Sequence, residues 1–313
     1  MITVLRAPPF ATVQDRGWST GRSIGLPPGG AMDPELLTIA NLLVGNAPDA
    51  AALEWALGPG TLRLERGGRV AVTGQASVTL GGASLKPWTA VHAGAGSELT
   101  VVPLGDGRFV YVAIEGGIAT PAIAGSRSTY IPAGLGGVAG RRLKNGDQLP
   151  TARPQGTGAL GKVEAVARPM EPVLRVMRGP QADRFDPPVW DALLGTTWTV
   201  LAASDRMGYR LAGPAIAPRE RATLPSEASC PGAVQVPDGG QPIVLMPDGP
   251  TVGGYPKLAV VARADLALLA QCPPGRPVRF REVTPGEARD ALRQQTRRLE
   301  RLERRVIPEG GAP

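Results

Sequence analysis

One part of the sequence combines positive charge with glycine, which is the chemistry of an anion-binding loop. It consists of three segments: Ser204–Leu211, Gly232–Gln235 and Asp248–Lys257. Arg206, Arg210 and Lys257 supply the charge, and arginine offers a planar pair of donors that fits a carboxylate. Gly253 and Gly254 let backbone N–H groups approach a bound anion. The alternative, which the sequence leaves open, is a set of tight turns in which Arg206 pairs with Asp205 or a neighbour.

Two earlier stretches are also more polar and more glycine-rich than a core requires. They are Thr12–Gly17 followed by Gly25–Asp33, and Gly125–Tyr130 with Gly140-Arg141. Ser126 and Arg127 begin a run of five hydrogen-bonding side chains, which favours a binding site or a subunit interface over a solvated loop. Asp33 is most simply a helix cap, because Pro34 follows it and an apolar helical pattern begins there.

The sequence argues against several classes of chemistry. It has two Cys and one His, and neither Cys lies in a Cys-x-x-Cys pair, so no structural zinc site is expected. His92 lies in an alternating apolar segment, which favours a structural strand residue. A Ser-His-Asp or Cys-His mechanism would have to use this single His, so triad chemistry is not expected. A Gly-x-Gly-x-x-Gly match at 156–161 follows Pro154-Gln155, and Val163 stands where a P-loop needs Ser or Thr. Neither phosphate-loop interpretation is therefore favoured.

Composition limits the partners. The formal charge is +7, but only 4% of residues are aromatic, so nucleic-acid binding is not expected. The apolar runs are far shorter than the roughly 20 residues of a membrane span. The N-terminal residues lack the basic and apolar regions of a signal peptide, and a cytoplasmic location is expected.

Short strand-like segments separated by turn residues dominate the chain and predict a mainly β fold. Gly105-Asp106-Gly107 predicts a hairpin. Few helices are expected: one over 34–44, short ones at Pro188–Leu194 and Arg263–Ala270, and one opened by a Thr284–Glu287 capping box and running to about Val306. The many arginines of the last helix favour a solvated, salt-bridged surface, with docking of an anionic partner as the alternative. The expected organisation is an N-terminal β domain at 1–150, a linker at 151–169, a C-terminal β domain at 170–284, and a helix and tail at 285–313.

Several motifs resemble the KipA family, also called allophanate hydrolase subunit 2, whose members include the C-type subunit of 5-oxoprolinase. The motifs occur in the family's order at Thr12–Gly17, Gly29–Asp33, Ala40–Asn46, Gly125–Tyr130, Ser204–Leu211 and Gly253–Lys257. The resemblance runs from about Ile2 to Val283, and one departure is Trp18, where the family usually has Arg. It implies two cyclophilin-like β-barrels, one in each half of the chain.

The resemblance also implies an activity and partners. The expected activity is an ATP-dependent 5-oxoprolinase that opens a cyclic amide to L-glutamate together with a KipI-like and a LamB/YcsF-like subunit, and that is inactive as this chain alone. ATP and magnesium would serve the assembled complex, with a partner subunit as one place to bind them. The alternatives are half of a biotin-dependent carboxyltransferase, with biotin carried by another chain, and a regulator that binds a KipI-like kinase inhibitor.

Under this resemblance, the cationic segments become the candidate site for a small-molecule amide. The expected catalytic residues are Asp248, Tyr255 and Lys257, with Asp248 as a base or a magnesium ligand. The expected substrate-binding residues are Ser126, Arg127, Arg206, Tyr209, Arg210, Gln235, Thr251, Gly253 and Gly254. Arginine and lysine would stabilise negative charge on the substrate, and the tyrosines would hydrogen-bond its lactam.

Overall fold

The computed structural model describes residues 1–105, 107–154, 159, 161–219 and 224–305, which form two compact units. The first contains Met1–Trp18, Gly29–Ala167 and the chain from Arg297 onward. The second contains Ser19–Pro28 and Arg168–Thr296. The boundary at Ala167 lies within the expected linker, whereas the assignment of residues 19–28 to the second unit has no counterpart in the sequence-based division.

Two antiparallel sheets build the first unit. The strands are β1 (Ile2–Arg6), β2 (Phe10–Gln14), β3 (Ala52–Ala56), β4 (Gly60–Leu64), β5 (Gly68–Thr73), β6 (Ala76–Leu80), β7 (Ala83–Leu85), β8 (Val91–Ala93), β9 (Ser97–Pro103), β10 (Val110–Ile114) and β11 (Gln148–Leu149). One sheet has the order β11-β1-β4-β9-β6-β7 and the other β2-β3-β10-β5-β8. Side chains from both sheets, such as Leu62 and Val101 from the one and Leu53 and Val112 from the other, form one buried core.

Helix α1 (Pro34–Val44) packs against β5 and β10 of the same unit. It begins as the sequence predicts, because the Asp33 carboxylate accepts a hydrogen bond from the Leu36 N–H at 3.3 Å. Gly45 ends it in the left-handed conformation, at φ 79°. Every residue after Pro34 is buried, so α1 is a core helix.

A closed seven-stranded barrel forms the centre of the second unit. Its strands, in the order of pairing, are β12 (Val173–Arg178), β19 (Lys257–Val261), β16 (Ala233–Gln235), β17 (Ile243–Leu245), β14 (Gly208–Ala212), β13 (Trp198–Val200) and β20 (Pro277–Glu282). β12 and β20 pair in parallel and close the ring. A separate two-stranded ribbon joins β15 (Glu227–Ala228) to β18 (Val252–Gly253). The mainly β fold class is confirmed.

Helices α2 (Pro187–Gly195), α3 (Leu266–Ala270) and α4 (Pro285–Glu303) follow in the C-terminal half of the chain. The predicted capping box opens α4, because the Thr284 N–H donates to the Glu287 carboxylate at 2.7 Å and the Glu287 N–H donates back to the Thr284 hydroxyl at 3.2 Å. The predicted end near Val306 lies outside the described residues. Among those described, no helix is long and apolar enough to cross a membrane.

One sequence-based expectation is wrong. The strands on either side of Gly105 and Gly107 do not form a hairpin, because β9 and β10 belong to different sheets; Asp106 itself lies outside the described residues. The end of the expected linker is docked on the first unit, where the Ala90 N–H donates to the Gly161 carbonyl at 2.6 Å and the Val163 N–H donates to the Trp88 carbonyl at 3.0 Å. The glycine match lies in that segment, and its residues 156–158 and 160 are not described.

Candidate functional site

Arg206 and Asp248, predicted to bind substrate and to act as a base, form a buried ion pair with each other. The Arg206 Nε and Nη2 atoms each donate to one Asp248 carboxylate oxygen, both at 2.8 Å. Their side chains are only 7% and 4% exposed. The Asp248 N–H also donates to the Arg206 carbonyl at 2.9 Å. This geometry assigns the pair the role of joining two loops, because the carboxylate is engaged with the guanidinium and shielded from solvent.

Tyr209 and Arg210 point to opposite sides of β14, as neighbours on a strand do. Tyr209 is fully buried, and its hydroxyl donates to the Ala270 carbonyl at 2.7 Å. The expectation that Tyr209 hydrogen-bonds a substrate lactam does not agree with this placement, because no ligand in solvent reaches a core tyrosine. Arg210 is exposed, and its backbone N–H donates to the Ser204 hydroxyl at 3.0 Å.

Lys257 lies at the start of β19 and is 3% exposed. Its ammonium forms an ion pair with the carboxylate of Glu227 on β15. Gln181 connects the two residues: its side-chain oxygen accepts from the Lys257 backbone N–H at 3.0 Å, and its amide donates to Glu227 Oε1 at 2.6 Å. The Glu227 side chain is 43% exposed, so the carboxylate that pairs with the buried ammonium is itself in contact with solvent.

Gln235 and Ser229 lie next to this ion pair. Gln235 pairs with Lys257 across β16 and β19, where an irregular register places both side chains on one face. The Gln235 amide contacts the Ser229 hydroxyl at 3.5 Å, at the long limit of a hydrogen bond. A side chain at Gly253 would lie 3.0 Å from that amide, so glycine permits the close approach of β18. We call Gln181, Glu227, Ser229, Gln235 and Lys257 the Lys257 cluster.

The remaining predicted residues between Asp248 and Lys257 differ in how far they are buried. Tyr255 is 48% exposed, whereas Thr251 is buried and its carbonyl accepts from the Ser229 N–H at 2.9 Å. Gly254 lies close to the Leu224 carbonyl, which a Cβ at this position would approach to 3.0 Å. Of the predicted residues Thr251 and Tyr255, it is therefore Tyr255 whose side chain is presented to solvent.

Electrostatics keeps the acid of the cluster ionised. The hydrogen bond from Lys257 lowers the pKa of Glu227 below its ordinary value, and the Gln181 hydrogen bond and the charge of Arg184 act in the same direction against partial burial. A buried ammonium beside amide and hydroxyl groups can stabilise negative charge that develops on a carbonyl oxygen. The ammonium is already engaged by Glu227 and almost completely buried, so a ligand amide or carboxylate reaches it only by displacing that carboxylate.

Ser126 and Arg127 lie in the first unit, where they belong to a network around Asp15. Asp15 Oδ1 accepts from the hydroxyls of Ser126 and Ser128, both at 2.6 Å, and from the Gly17 N–H at 2.8 Å. Its other oxygen accepts from the Arg127 backbone N–H at 2.6 Å. Ser126 is therefore a support for the Asp15 loop, while the Arg127 side chain takes no part in the network.

Sequence reasoning does not find Glu227, Gln181 or Ser229. Glu227 follows a segment without any motif, and only the pairing of β15 with β18 brings it to Lys257. Arg22, from the segment 19–28, likewise donates through its guanidinium to the Ser229 carbonyl. Within the described ranges, no three His, Cys, Asp or Glu side chains are placed to hold a metal ion together.

Comparison with known proteins establishes the family to which this chain belongs. The chain is a member of the carboxyltransferase domain family, because the model of that family, described as subdomain A and B, matches residues 24–282. The expected family relationship is thereby confirmed.

Individual relatives narrow the comparison. The chain is 38% identical to the C-type subunit of 5-oxoprolinase from Escherichia coli, over 96% of this chain and 97% of that protein. It is 34% identical to the protein of the same name from Haemophilus influenzae, over 99% of both chains. Among solved structures, the Kluyveromyces lactis urea carboxylase superposes with a TM-score of 0.87 at 28% identity, covering 98% of this chain. The chain spans 29% of the length of that larger enzyme.

Proposed function

We propose that this chain is the C-type subunit of a 5-oxoprolinase, which converts 5-oxoproline to L-glutamate with hydrolysis of ATP. The observation that carries the proposal is the similarity to the C-type subunits of 5-oxoprolinase from two bacteria, at 38% and 34% identity. In both cases the matched region covers nearly the whole of both chains. The Lys257 cluster adds a site whose chemistry fits a cyclic amide.

The substrate offers two groups that this cluster can recognise. 5-Oxoproline carries a carboxylate and a lactam, and opening the ring adds water across the C–N bond of the lactam. In an ATP-dependent reaction the lactam oxygen takes the phosphoryl group and ADP leaves; water then adds to the ring carbon, and phosphate leaves as the C–N bond opens. The Lys257 ammonium would stabilise the negative charge on the lactam oxygen and on the phosphoryl group that it receives. Glu227 orients the ammonium through their ion pair until the substrate displaces it, while the Gln235 amide supplies a neutral donor and acceptor. The exposed Tyr255 hydroxyl would hydrogen-bond the substrate.

Other subunits would supply the rest of the reaction. The proposed partners are a KipI-like and a LamB/YcsF-like protein, and the isolated chain is expected to be inactive. ATP, when bound with magnesium, supplies the phosphoryl group that activates the lactam oxygen for hydrolysis. We propose that both serve the assembled complex, with a partner subunit as one place to bind them.

Reconstitution tests the proposal. The chain is mixed with its KipI-like and LamB/YcsF-like partners, and glutamate release from 5-oxoproline is measured with and without ATP. Lys257→Met should lower turnover by about a hundredfold or more, in the range of other charge-stabilising donors. Lys86→Met is the matched control, because Lys86 is an exposed lysine of the first unit. Absence of ATP-dependent glutamate release from the wild-type mixture would refute the proposal.

A second function, half of a biotin-dependent carboxyltransferase, is favoured by the close superposition on urea carboxylase. Biotin would then arrive on another chain, and the Lys257 ammonium would face a carboxylated ligand. The two proposals separate when the same mixture is supplied with carboxybiotin and urea in place of ATP and 5-oxoproline. Carboxyl transfer without glutamate release would select this alternative. A tight complex with the KipI-like protein and no turnover of either kind would favour a regulatory binding module.

A further inference from the structure

The first unit contains a cavity of about 330 Å³. All its lining residues belong to the first unit, so the cavity shares no residue with the Lys257 cluster. The volume lies at the lower end of the range for small-molecule sites. Charged side chains of both signs line it: Arg16, Arg127 and Asp49. The glycines 17, 116, 117 and 125 form much of the remaining wall and leave its backbone accessible.

Asp15 also lines the cavity, but its carboxylate is already occupied. It accepts four hydrogen bonds, from two serine hydroxyls and two backbone N–H groups, and only 8% of the residue is exposed. The bond to the Arg127 backbone N–H fixes the main chain at this position. The Asp15 network therefore holds the main chain at Arg127 and does not include its guanidinium.

The Arg127 guanidinium lacks the partners that its position requires. Its Nε atom is buried and has no hydrogen-bond partner. Neither Arg127 nor Arg16 forms an ion pair with any residue in the described part of the chain. A buried donor without a partner is unfavourable, and a planar guanidinium is matched best by a carboxylate. Arg127 and Arg16 are therefore the groups of this cavity whose chemistry suits a carboxylate.

Asp49 determines which carboxylate fits. It is exposed at the same cavity, and its carboxylate makes no hydrogen bond or ion pair within the described residues. A multiply charged anion would be repelled by Asp49, whereas a ligand that also carries an ammonium group would be attracted. We propose that this cavity binds a free α-amino acid, with its carboxylate on Arg127 and Arg16 and its ammonium group facing Asp49.

Equilibrium binding to the purified full-length chain tests this inference. Titration calorimetry with L-glutamate should detect binding, and 5-oxoproline should bind at least about tenfold more weakly, because its nitrogen is an uncharged lactam. Arg127→Gln and Asp49→Asn should each weaken glutamate binding by about tenfold or more. Arg66→Gln, which changes an exposed arginine outside the cavity, should leave binding unchanged.

Several results would overturn the proposal. These are a glutamate dissociation constant weaker than about 10 mM, equal binding of 5-oxoproline, tighter binding of inorganic phosphate, or unaltered binding by Arg127→Gln. Asp49 is exposed and lies outside the Asp15 network, so Asp49→Asn should not unfold the protein. A loss of glutamate binding in this variant is therefore not explained by misfolding. Binding is measured without partners, ATP or turnover, so its failure is distinguishable from failure of the proposed 5-oxoprolinase function.

Discussion

Breaking the Arg206–Asp248 pair should destabilise the second unit strongly. Asp248→Ala leaves a guanidinium buried without its carboxylate, and Arg206→Met leaves a carboxylate buried without its cation. Two hydrogen bonds of 2.8 Å between side chains less than one-tenth exposed make this a desolvated, bidentate pair. Removing one partner of such a pair costs about 3–5 kcal/mol of unfolding free energy.

The double variant separates the interaction from the burial of each group. Arg206→Met with Asp248→Ala removes both charges, so neither is left uncompensated. Its cost should be smaller than the sum of the two single costs by about 1–3 kcal/mol, the usual coupling for residues that share hydrogen bonds. The backbone hydrogen bond from Asp248 to the Arg206 carbonyl remains possible in all three variants.

Hydrogen–deuterium exchange of the amides in β14 and β17 is the assay, because these strands follow Arg206 and precede Asp248 in the barrel. Their exchange gives the free energy of opening within the second unit alone. Single variants that each cost less than about 1 kcal/mol, or a double variant equal to the sum, would refute the buried-pair argument. Asp248 would then be available for the catalytic role expected from the sequence.

Three further predictions concern other parts of the chain. Lys257→Met removes the hydrogen bond that lowers the pKa of Glu227, so in an NMR titration this carboxyl should titrate nearer its ordinary value. In the wild-type protein the Lys257–Glu227 pair stabilises the fold at neutral pH. That contribution is lost as the pH falls through the lowered pKa of Glu227. Gly140→Ala should cost more than about 2 kcal/mol, because at φ +64° its Cβ would lie 1.9 Å from the carbonyl carbon of Gly134. Thr284→Ala should cost about 1 kcal/mol and increase amide exchange in the first turn of α4.

Matched measurements decide these three cases. An unchanged Glu227 titration in the lysine variant would contradict the assigned cause of the lowered pKa. Gly134→Ala is the control for the glycine variant, because its Cβ meets nothing within 4 Å at a similar φ of +63°; equal destabilisation by both would mean that the steric argument is incorrect. Thr296→Ala, within α4 and away from the cap, should leave exchange in the first turn unaltered.

The sequence predicts local structure well where neighbouring residues determine it. The start and end of α1 follow from Asp33, Pro34 and Gly45, and the start of α4 follows from Thr284 and Glu287. Each of these signals acts through hydrogen bonds within three or four residues, so no knowledge of the tertiary fold is needed. The mainly β class is equally accessible from the short apolar segments.

The partners of the candidate site residues could not be predicted in the same way. Arg206 pairs with Asp248, 42 residues further along the chain, rather than with the adjacent Asp205. Lys257 pairs with Glu227, 30 residues before it, through the register of two short strands. Many carboxylates are possible partners for each cation, and only the strand pairing of the second unit selects one.

The wrong prediction of a hairpin between β9 and β10 has a related physical reason. A glycine-rich turn between two apolar strands is compatible with a hairpin and equally with a crossing from one sheet to the other. β9 pairs with β4 and β6, whereas β10 pairs with β3 and β5. The choice depends on which strand edges are unoccupied, and that information is spread over the whole first unit.

The assignment of residues 19–28 to the second unit makes that unit discontinuous in the gene. A fragment that begins at Arg168 would lack Arg22, whose guanidinium bonds the Ser229 carbonyl beside Lys257. The ribosome synthesises this short segment long before the barrel strands. The segment therefore cannot form its contacts in the second unit until those strands have been synthesised. No single cut, exchange or fusion point can therefore transfer the second unit intact, and recombination that moves it must also carry a loop encoded near the start of the chain.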